Sequence, residues 1–595
     1  GMTIDLDRIF ASRSLSDIAQ SVRSLHITAG GEIHPPTGAT ALVPVQRWFT
    51  EQQLVNADHW CLGTAIEIHR PVAADTLVMA IRKILQRYPV LSARFKVEEG
   101  YAQTIPANPV DTQSSCKTVQ LAAPIAQSLD HIRAVLDESL SGLDLEQGDL
   151  FRAVLFRTPN PDANLLVLVA HHLVVDAVSL RILVEDYLHL CAGTVVPAQV
   201  TPFRSWAQQL ASDGQVFKDE VLAQTGYWSR VIETIPASIP FDLTRRPSRR
   251  IAILSRGLSA AATSALIREV PAAYNIRIND ILISALVRTF SDWRASPDIA
   301  INLEGHGRES VLEGVDVSRT VGWFTSVFPV CLHDPKNDLG SLIQATKRTL
   351  ANIPQRGVGY GLLRYLFNEP RVIPAAEPMV QFNYLGQWDN VSFGDPDVSM
   401  PSAQVLSLVD QVSIDPRNGR QHALEIEARI AQGRFEIDWY YDDGILTPQE
   451  AEDLATRYVG ALGEIIDHCT AGAVVRVPGD YPDVELTEGE LQSLVASAGA
   501  IPVDIYPLSP TQEGILFRHL MSEGDTYTLQ YVMDINGEID IGVLEAAWGL
   551  LAERHPILRT GFFWEAVSGP VQYVVQKATC RWQFLADSDE PSQYE

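Results

Sequence analysis

The chain has few cysteines, and they are not placed to work together. The six, Cys61, Cys116, Cys191, Cys331, Cys469 and Cys580, are scattered through 595 residues. With no C-x-x-C pair and no zinc-like spacing, neither a structural zinc site nor a dithiol redox centre is expected. Scattered reduced thiols suit a cytoplasmic protein. Positive charge is also short: 46 Lys plus Arg stand against 73 Asp plus Glu, a formal net charge of −27. Displacing counterions from phosphates takes a basic patch, and no such block occurs, so nucleic acid is not an expected partner. Long apolar runs are missing too. None approaches the roughly 18 residues of a membrane span, and no basic segment with an apolar core opens the chain, so neither membrane anchor nor signal peptide is expected. The sequence holds no G-x-x-x-x-G-K-[ST] phosphate loop, no G-x-S-x-G elbow and no H-E-x-x-H zinc helix. The glycines of Arg356-Gly357-Val358-Gly359-Tyr360-Gly361 do not match a dinucleotide fingerprint and read as a flexible loop.

What is present is globular: 46% hydrophobic and 20% charged residues, in a chain long enough for several domains. Ile4 to Leu25 reads as two short helices, and Gly30-Gly31 with His34-Pro35-Pro36-Thr37-Gly38 as a linker. Thr76 to Tyr88 carries a helical stripe of Leu77, Ala80, Ile81, Ile84 and Leu85. Leu165 to Ala170 is an unbroken apolar run of strand length, and Ser179 to Cys191 is helical again. Such alternation predicts a layered α/β fold. The polar helical stretch Phe203 to Arg230 marks a crossover between lobes. A second linker follows Cys469.

Beyond it the chain repeats itself. Tyr88-Pro89-Val90-Leu91-Ser92-Ala93-Arg94-Phe95 matches His555-Pro556-Ile557-Leu558-Arg559-Thr560-Gly561-Phe562, and Val43-Pro44-Val45-Gln46 answers to Ser509-Pro510-Thr511-Gln512. A repeat spaced by a whole domain means tandem homologous domains and not a solenoid. The second copy reaches Glu595 before any counterpart of His171, so one complete domain and the opening of another are expected.

Two stretches carry candidate chemistry. His171-His172-Leu173-Val174-Val175-Asp176 sits where the buried strand ends and a helix begins, an edge that presents polar side chains. Histidine titrates near neutral pH and suits proton transfer. The alternative is a satisfied histidine pair with Asp176 capping the helix. In Ala300-Ile301-Asn302-Leu303-Glu304-Gly305-His306, a strand would put Asn302, Glu304 and His306 on one face. Glu304 is then either a buried acid of raised proton affinity or part of a solvated strand end.

Together these stretches resemble the epimerization domains of nonribosomal peptide synthetases. The likeness covers His171 to Leu183, Glu304-Gly305-His306-Gly307-Arg308-Glu309, Val317 to Thr325, Phe382-Asn383-Tyr384-Leu385-Gly386-Gln387, and Pro44 to Phe49 as the opening motif. Related condensation domains usually follow His-His-x-x-x-Asp with Gly, and here Ala177-Val178-Ser179 follows, as in the epimerization branch. Leu180 departs from that branch, where Trp is common. The resemblance implies two chloramphenicol-acetyltransferase-like α/β lobes in a V with a central tunnel, and a partial second copy at the C-terminus. The implied order is a carrier-protein remnant at 1–25, a linker at 26–40, lobes at 41–210 and 211–470, a linker at 471–500, and a truncated condensation domain at 501–595.

The implied reaction inverts Cα of an aminoacyl or peptidyl thioester held on the phosphopantetheine of a peptidyl carrier protein. His172 and Glu304, from different lobes, form the implied acid–base pair. His171 positions its neighbour, Asp176 pairs with Arg308, and His306, Asn383 and Tyr384 line the tunnel. No metal or bound cofactor is required. The implied partners are the upstream carrier and a downstream condensation domain that accepts a D-configured donor. A condensation-type acyltransferase and a non-catalytic carrier-docking module are the alternatives.

Overall fold

The computed structural model describes Met2–Thr3, Arg23–Ser24, Trp582 and residues 37–578, apart from 53, 97–101, 109–111, 198–200, 213–214, 236–240, 242–244, 246, 249, 295, 337, 388–394, 472–475, 482, 522–528, 530, 533–536 and 538–539. Of the helices expected over Ile4 to Leu25, only Arg23–Ser24 is described, and it is a two-residue strand paired antiparallel with Met2–Thr3 rather than a helical turn; the rest, with the carrier remnant it implies, lies outside the described residues. So does Cys580. Two compact units emerge. The first gathers residues 1–219, 306–325 and 392–418, and the second 220–305, 326–391 and 419–595.

The first unit is built on helix α1 (Pro44–Thr50), strands β1 (Cys61–Ile68), β2 (Cys116–Gln120), β3 (Phe151–Arg157) and β4 (Asn164–His171), and helices α2 (Ala74–Arg87) and α3 (Ala177–Ala192). Its sheet runs β1-β4-β3-β2, with Val398–Ser399 pairing on the outer edge of β1. β4 is buried at all eight positions, as its unbroken apolar run requires of a central strand covered on both faces. The expected stripe of α2, Leu77 to Leu85, is buried, and α2 packs against α3. Leu180 sits in the buried face of α3, 3% exposed. Chain order alone would leave 306–325 and 392–418 in the second lobe. They return to the first unit because their polar groups are satisfied there: Asn56 donates its backbone N–H to the Asn418 side chain at 2.7 Å, and Arg308 pairs with Asp176.

The second unit holds the strands β5 (Ile251–Gly257), β6 (Asp298–Gly305), β7 (Ser326–His333), β8 (Val380–Gln387), β9 (Leu424–Ala431) and β10 (Arg434–Asp442), and helices α4 (Ile278–Arg294), α5 (Leu339–Ala351) and α6 (Pro448–Thr470). The sheet order is β5-β10-β9-β8-β6-β7, with β8 parallel to both neighbours. Period-two alternation gives it two unlike faces. One is apolar: Ile301, Leu303, Phe382, Ile426, Ile437 and Trp439 are buried, and α4 and α6 pack together over the sheet. Tyr458 of α6 meets Trp439 edge-on at 5.7 Å. The other face is polar and carries Glu304.

The glycine stretch expected to be a flexible loop is instead a packed turn. Gln355, Arg356 and Gly357 take positive φ in succession, 44°, 50° and 91°. A β-carbon on Gly357 would fall 2.0 Å from the Phe328 ring of β7. Gly357→Ala therefore combines left-handed backbone with a buried clash, and a loss on the order of 2–4 kcal/mol is expected in denaturant melts.

The sequence repeat is also a structural one. Pro89–Ser92 and Pro556–Arg559 are both single 3₁₀ turns that follow 14-residue helices, α2 and Ile541–Arg554 respectively. At the start of α1 the Gln46 side chain accepts from the Val43 N–H at 3.1 Å, and Gln512 accepts from the Ser509 N–H at 2.8 Å. Part of the stretch read as linker 471–500 is ordered: Glu488–Ala498 is a helix with a Thr487/Glu490 capping box, and Leu491 and Leu494 pack with Ile505 and Phe563. Among the described residues no helix is long and apolar enough to cross a membrane.

Candidate active site

The histidine loop is shaped by its first histidine. At the end of β4 the fully buried His171 hydrogen-bonds the Ala57 carbonyl through Nε2 at 2.7 Å, and its Nδ1 accepts the Leu173 N–H at 3.2 Å. A carbonyl only accepts, so the proton sits on Nε2 and the ring is neutral. Burial depresses its proton affinity to about 4, too low for proton transfer near neutrality. The side chain ties the turn to the Ala57 carbonyl and the Leu173 N–H.

His172 has the opposite character. It is half-buried, and its Nδ1 donates to the Val175 carbonyl at 2.9 Å, which leaves the lone pair on Nε2. Burial pulls its proton affinity below the ordinary value, while its own backbone, Asp176 and the Val175 carbonyl pull the other way. Its ring lies 4.4 Å from that of Trp323, which in turn meets Trp48 and Phe49. The imidazole is thus held at one edge by a carbonyl and on its face by an indole.

Asp176 does two jobs. It caps α3 by accepting the Ser179 N–H at 2.7 Å, and both its oxygens take Arg308 Nη2, at 2.8 and 3.0 Å. Arg308 also donates Nη1 to the Val317 and Thr320 carbonyls and lies 4.1 Å over the Phe324 ring. Both side chains are under a tenth exposed, and both belong to the first unit. The expected ion pair is therefore present, but it fastens the 306–325 segment to the histidine loop within one unit. β6 ends at Gly305, so His306 does not share the face of Asn302 and Glu304. Its ring is half-exposed, with Nδ1 accepting the Arg308 N–H at 3.0 Å and Nε2 3.4 Å from Glu309.

Glu304 lies in the second unit, near the end of β6. Gln381 donates to Oε1 and Asn383 donates to Oε2 at 2.8 Å, both from the adjoining β8. Neither donor is a cation. Burial, then the charges of Glu427 and Glu425, outweigh the Gln381 hydrogen bond and Arg420, and push the carboxyl up to about 8. Primary amides present either an N–H or a carbonyl oxygen, so this pair can serve both the acid and its anion. Asn383 is therefore a direct partner of the candidate acid. Tyr384 points elsewhere: its hydroxyl is buried with no hydrogen-bond partner among the described residues, and burial raises it to about 12.

The family model for the condensation domain matches residues 37–474 and again 503–595. The chain belongs to the condensation-domain family. Its second match accounts for the repeat, and the mixed α/β fold is that of condensation-domain structures. The crystal structure of the epimerization domain from the third module of tyrocidine synthetase B is 30% identical, with a TM-score of 0.65 over 74% of this chain and 99% of that one. Two linear gramicidin synthase polypeptides from Brevibacillus parabrevis are 33% and 32% identical, over 90% and 97% of this chain. The chain spans only 7% and 11% of the lengths of those two polypeptides.

Sequence reasoning missed the surroundings of Glu304. Gln381, Glu425, Glu427 and Arg420 become its neighbours only through strand pairing across more than 70 residues. The alternation Leu424-Glu425-Ile426-Glu427-Ala428-Arg429 was the available signal: a strand with one polar face. Trp323 lay inside the Val317 to Thr325 motif, but nothing in its spacing places it on His172.

Proposed function

We propose that this condensation-family domain is an epimerase acting on an aminoacyl or peptidyl thioester carried by phosphopantetheine, with His172 and Glu304 as its two proton carriers. The observation that carries the reading is Glu304, a half-buried carboxyl held between two amides and no cation, its proton affinity pushed up to about 8. Amide-bond formation calls chiefly for a base toward the attacking amine, and an acid would help only the departing thiolate. Inversion at Cα does need an acid. A thioester acidifies its α-proton by stabilising the enolate, after which one group removes the proton and another returns it on the opposite side. His172, neutral with a lone pair on Nε2, suits one role, and Glu304 suits the other. Each positioned acid or base contributes typically about 10²–10⁴-fold. The 30% identity to a solved epimerization domain supports the same choice. The substrate's carrier protein and a condensation domain taking the D-configured product are the proposed partners.

The test is chiral analysis of a carrier loaded with an L-aminoacyl group, incubated with the chain and then hydrolysed. The epimerase reading predicts a mixture of L and D forms that His172→Ala does not produce. A dipeptide appearing on a second loaded carrier, with unchanged chirality, favours the condensation alternative. Unaltered carrier in every case favours docking alone.

A further inference from the structure

The polar face of the second unit's sheet is laid out in register. Asn302 and Leu303 pair with Gln381 and Phe382, so Glu304 lies level with Asn383. Asn383 pairs with Glu427, Glu427 with Asp438, and Asp438 with Ser255. One row therefore reads Glu304, Asn383, Glu427, Asp438, Ser255 across β6, β8, β9, β10 and β5. Its three carboxyl groups are not equally served. Asp438 has Arg429 at 2.8 Å and the Ser255 hydroxyl. Glu427 has Arg420 3.7 Å away and feels Arg429 more weakly; Arg429 is bound to Asp438 and Glu436, and the Arg420 guanidinium is bound more closely to Glu425, which also has His422 at 3.3 Å. One cation thus faces two carboxylates, and Glu304 has amides alone. β7 brings no charge, setting Val327 opposite Glu304 and Ser326 opposite Gly305.

We propose that Glu427 is a positioning residue for Glu304: its incompletely neutralised charge, one strand beyond Asn383, makes Glu304 hold a proton at neutral pH and so act as a proton donor. Arg420 keeps Glu425 anionic, near 2, against the burial that would raise it, and this engagement leaves Glu427 under-compensated. Glu427 itself is pushed up, by burial first. The two carboxyls titrate as a coupled pair, and removing one charge lets the other ionise earlier. The proposal deepens the reading of Glu304 as a proton carrier, but its primary readout is the proton itself.

The experiment is a carbon-13 NMR titration of side-chain-labelled glutamate, with the Glu304 signal assigned by its loss in Glu304→Gln. The isosteric Glu427→Gln is expected to move the Glu304 midpoint down by about one pH unit or more. Glu425→Gln should also lower it, by removing its own charge and by leaving Arg420 to Glu427, and adding Glu427→Gln to it should lower the midpoint further, so the question survives if the single Glu427 variant fails to fold. The pH–rate profile of Cα inversion should shift by the same amount in the same direction. If folded variants leave the midpoint in place, the proposal is wrong. If the midpoint falls while the rate profile stays, Glu427 does set the proton on Glu304, and what fails is the role of Glu304 in inversion.

Discussion

Glu304→Gln is expected to cost the domain about 10²–10⁴ in inversion rate while making it more stable at pH 8. In the unfolded chain this carboxyl ionises near its ordinary 4.5, and in the folded chain near 8. Below about pH 4.5 both states hold the proton and no penalty arises. As pH rises from there to about 8, the unfolded chain releases a proton that the folded chain keeps, so stability falls across that window. Glutamine has nothing to release. It does return one amide donor against Gln381 or Asn383, at a cost of about 1–2 kcal/mol. The net gain is on the order of 2 kcal/mol at pH 8 and vanishes or reverses near pH 5. Thermal melts of both proteins at the two pH values check it. Equal melting differences at both would show that Glu304 is ionised in the folded state.

The second large effect belongs to the Asp176–Arg308 pair. Asp176→Ala strands the buried guanidinium of Arg308 and removes the cap of α3, so a loss on the order of 3–5 kcal/mol is expected. Activity should fall with it, because the same pair fastens the segment that brings Trp323 against His172. Asp176→Asn keeps the capping oxygen and should lose less. Thermal unfolding beside inversion assays separates the cases. Lost inversion at an unchanged melting temperature would give Asp176 a chemical role.

The surroundings of the two candidate residues were unequally legible in the sequence. The histidine loop follows from local rules: a buried strand ends at His171, Asp176 caps the next helix, and both facts lie within a dozen residues. Arg308 was reached only through resemblance, since nothing local pairs it with a residue 132 positions earlier. Glu304 was visible as an acid among apolar neighbours, but whether it is solvated or buried depends on β8 and β9, whose register no local pattern encodes. His306 was misplaced because alternation was carried one residue past Gly305, where the strand stops. The Gly357 turn was misread for a related reason. Three residues of positive φ resemble a flexible loop in sequence and become a fixed turn only once Phe328 is packed beneath.

If two different groups carry the proton, solvent deuterium will separate their half-reactions. The chain, His172→Ala and Glu304→Gln would each be given carriers loaded with the L- and the D-aminoacyl group in deuterated buffer. Exchange at Cα and inversion would be read separately, by mass and by chirality. Both variants are expected to lose inversion, each retaining exchange for one enantiomer only, and the two keeping opposite enantiomers. Inversion by Glu304→Gln at close to the original rate would contradict this and leave His172 as the one base.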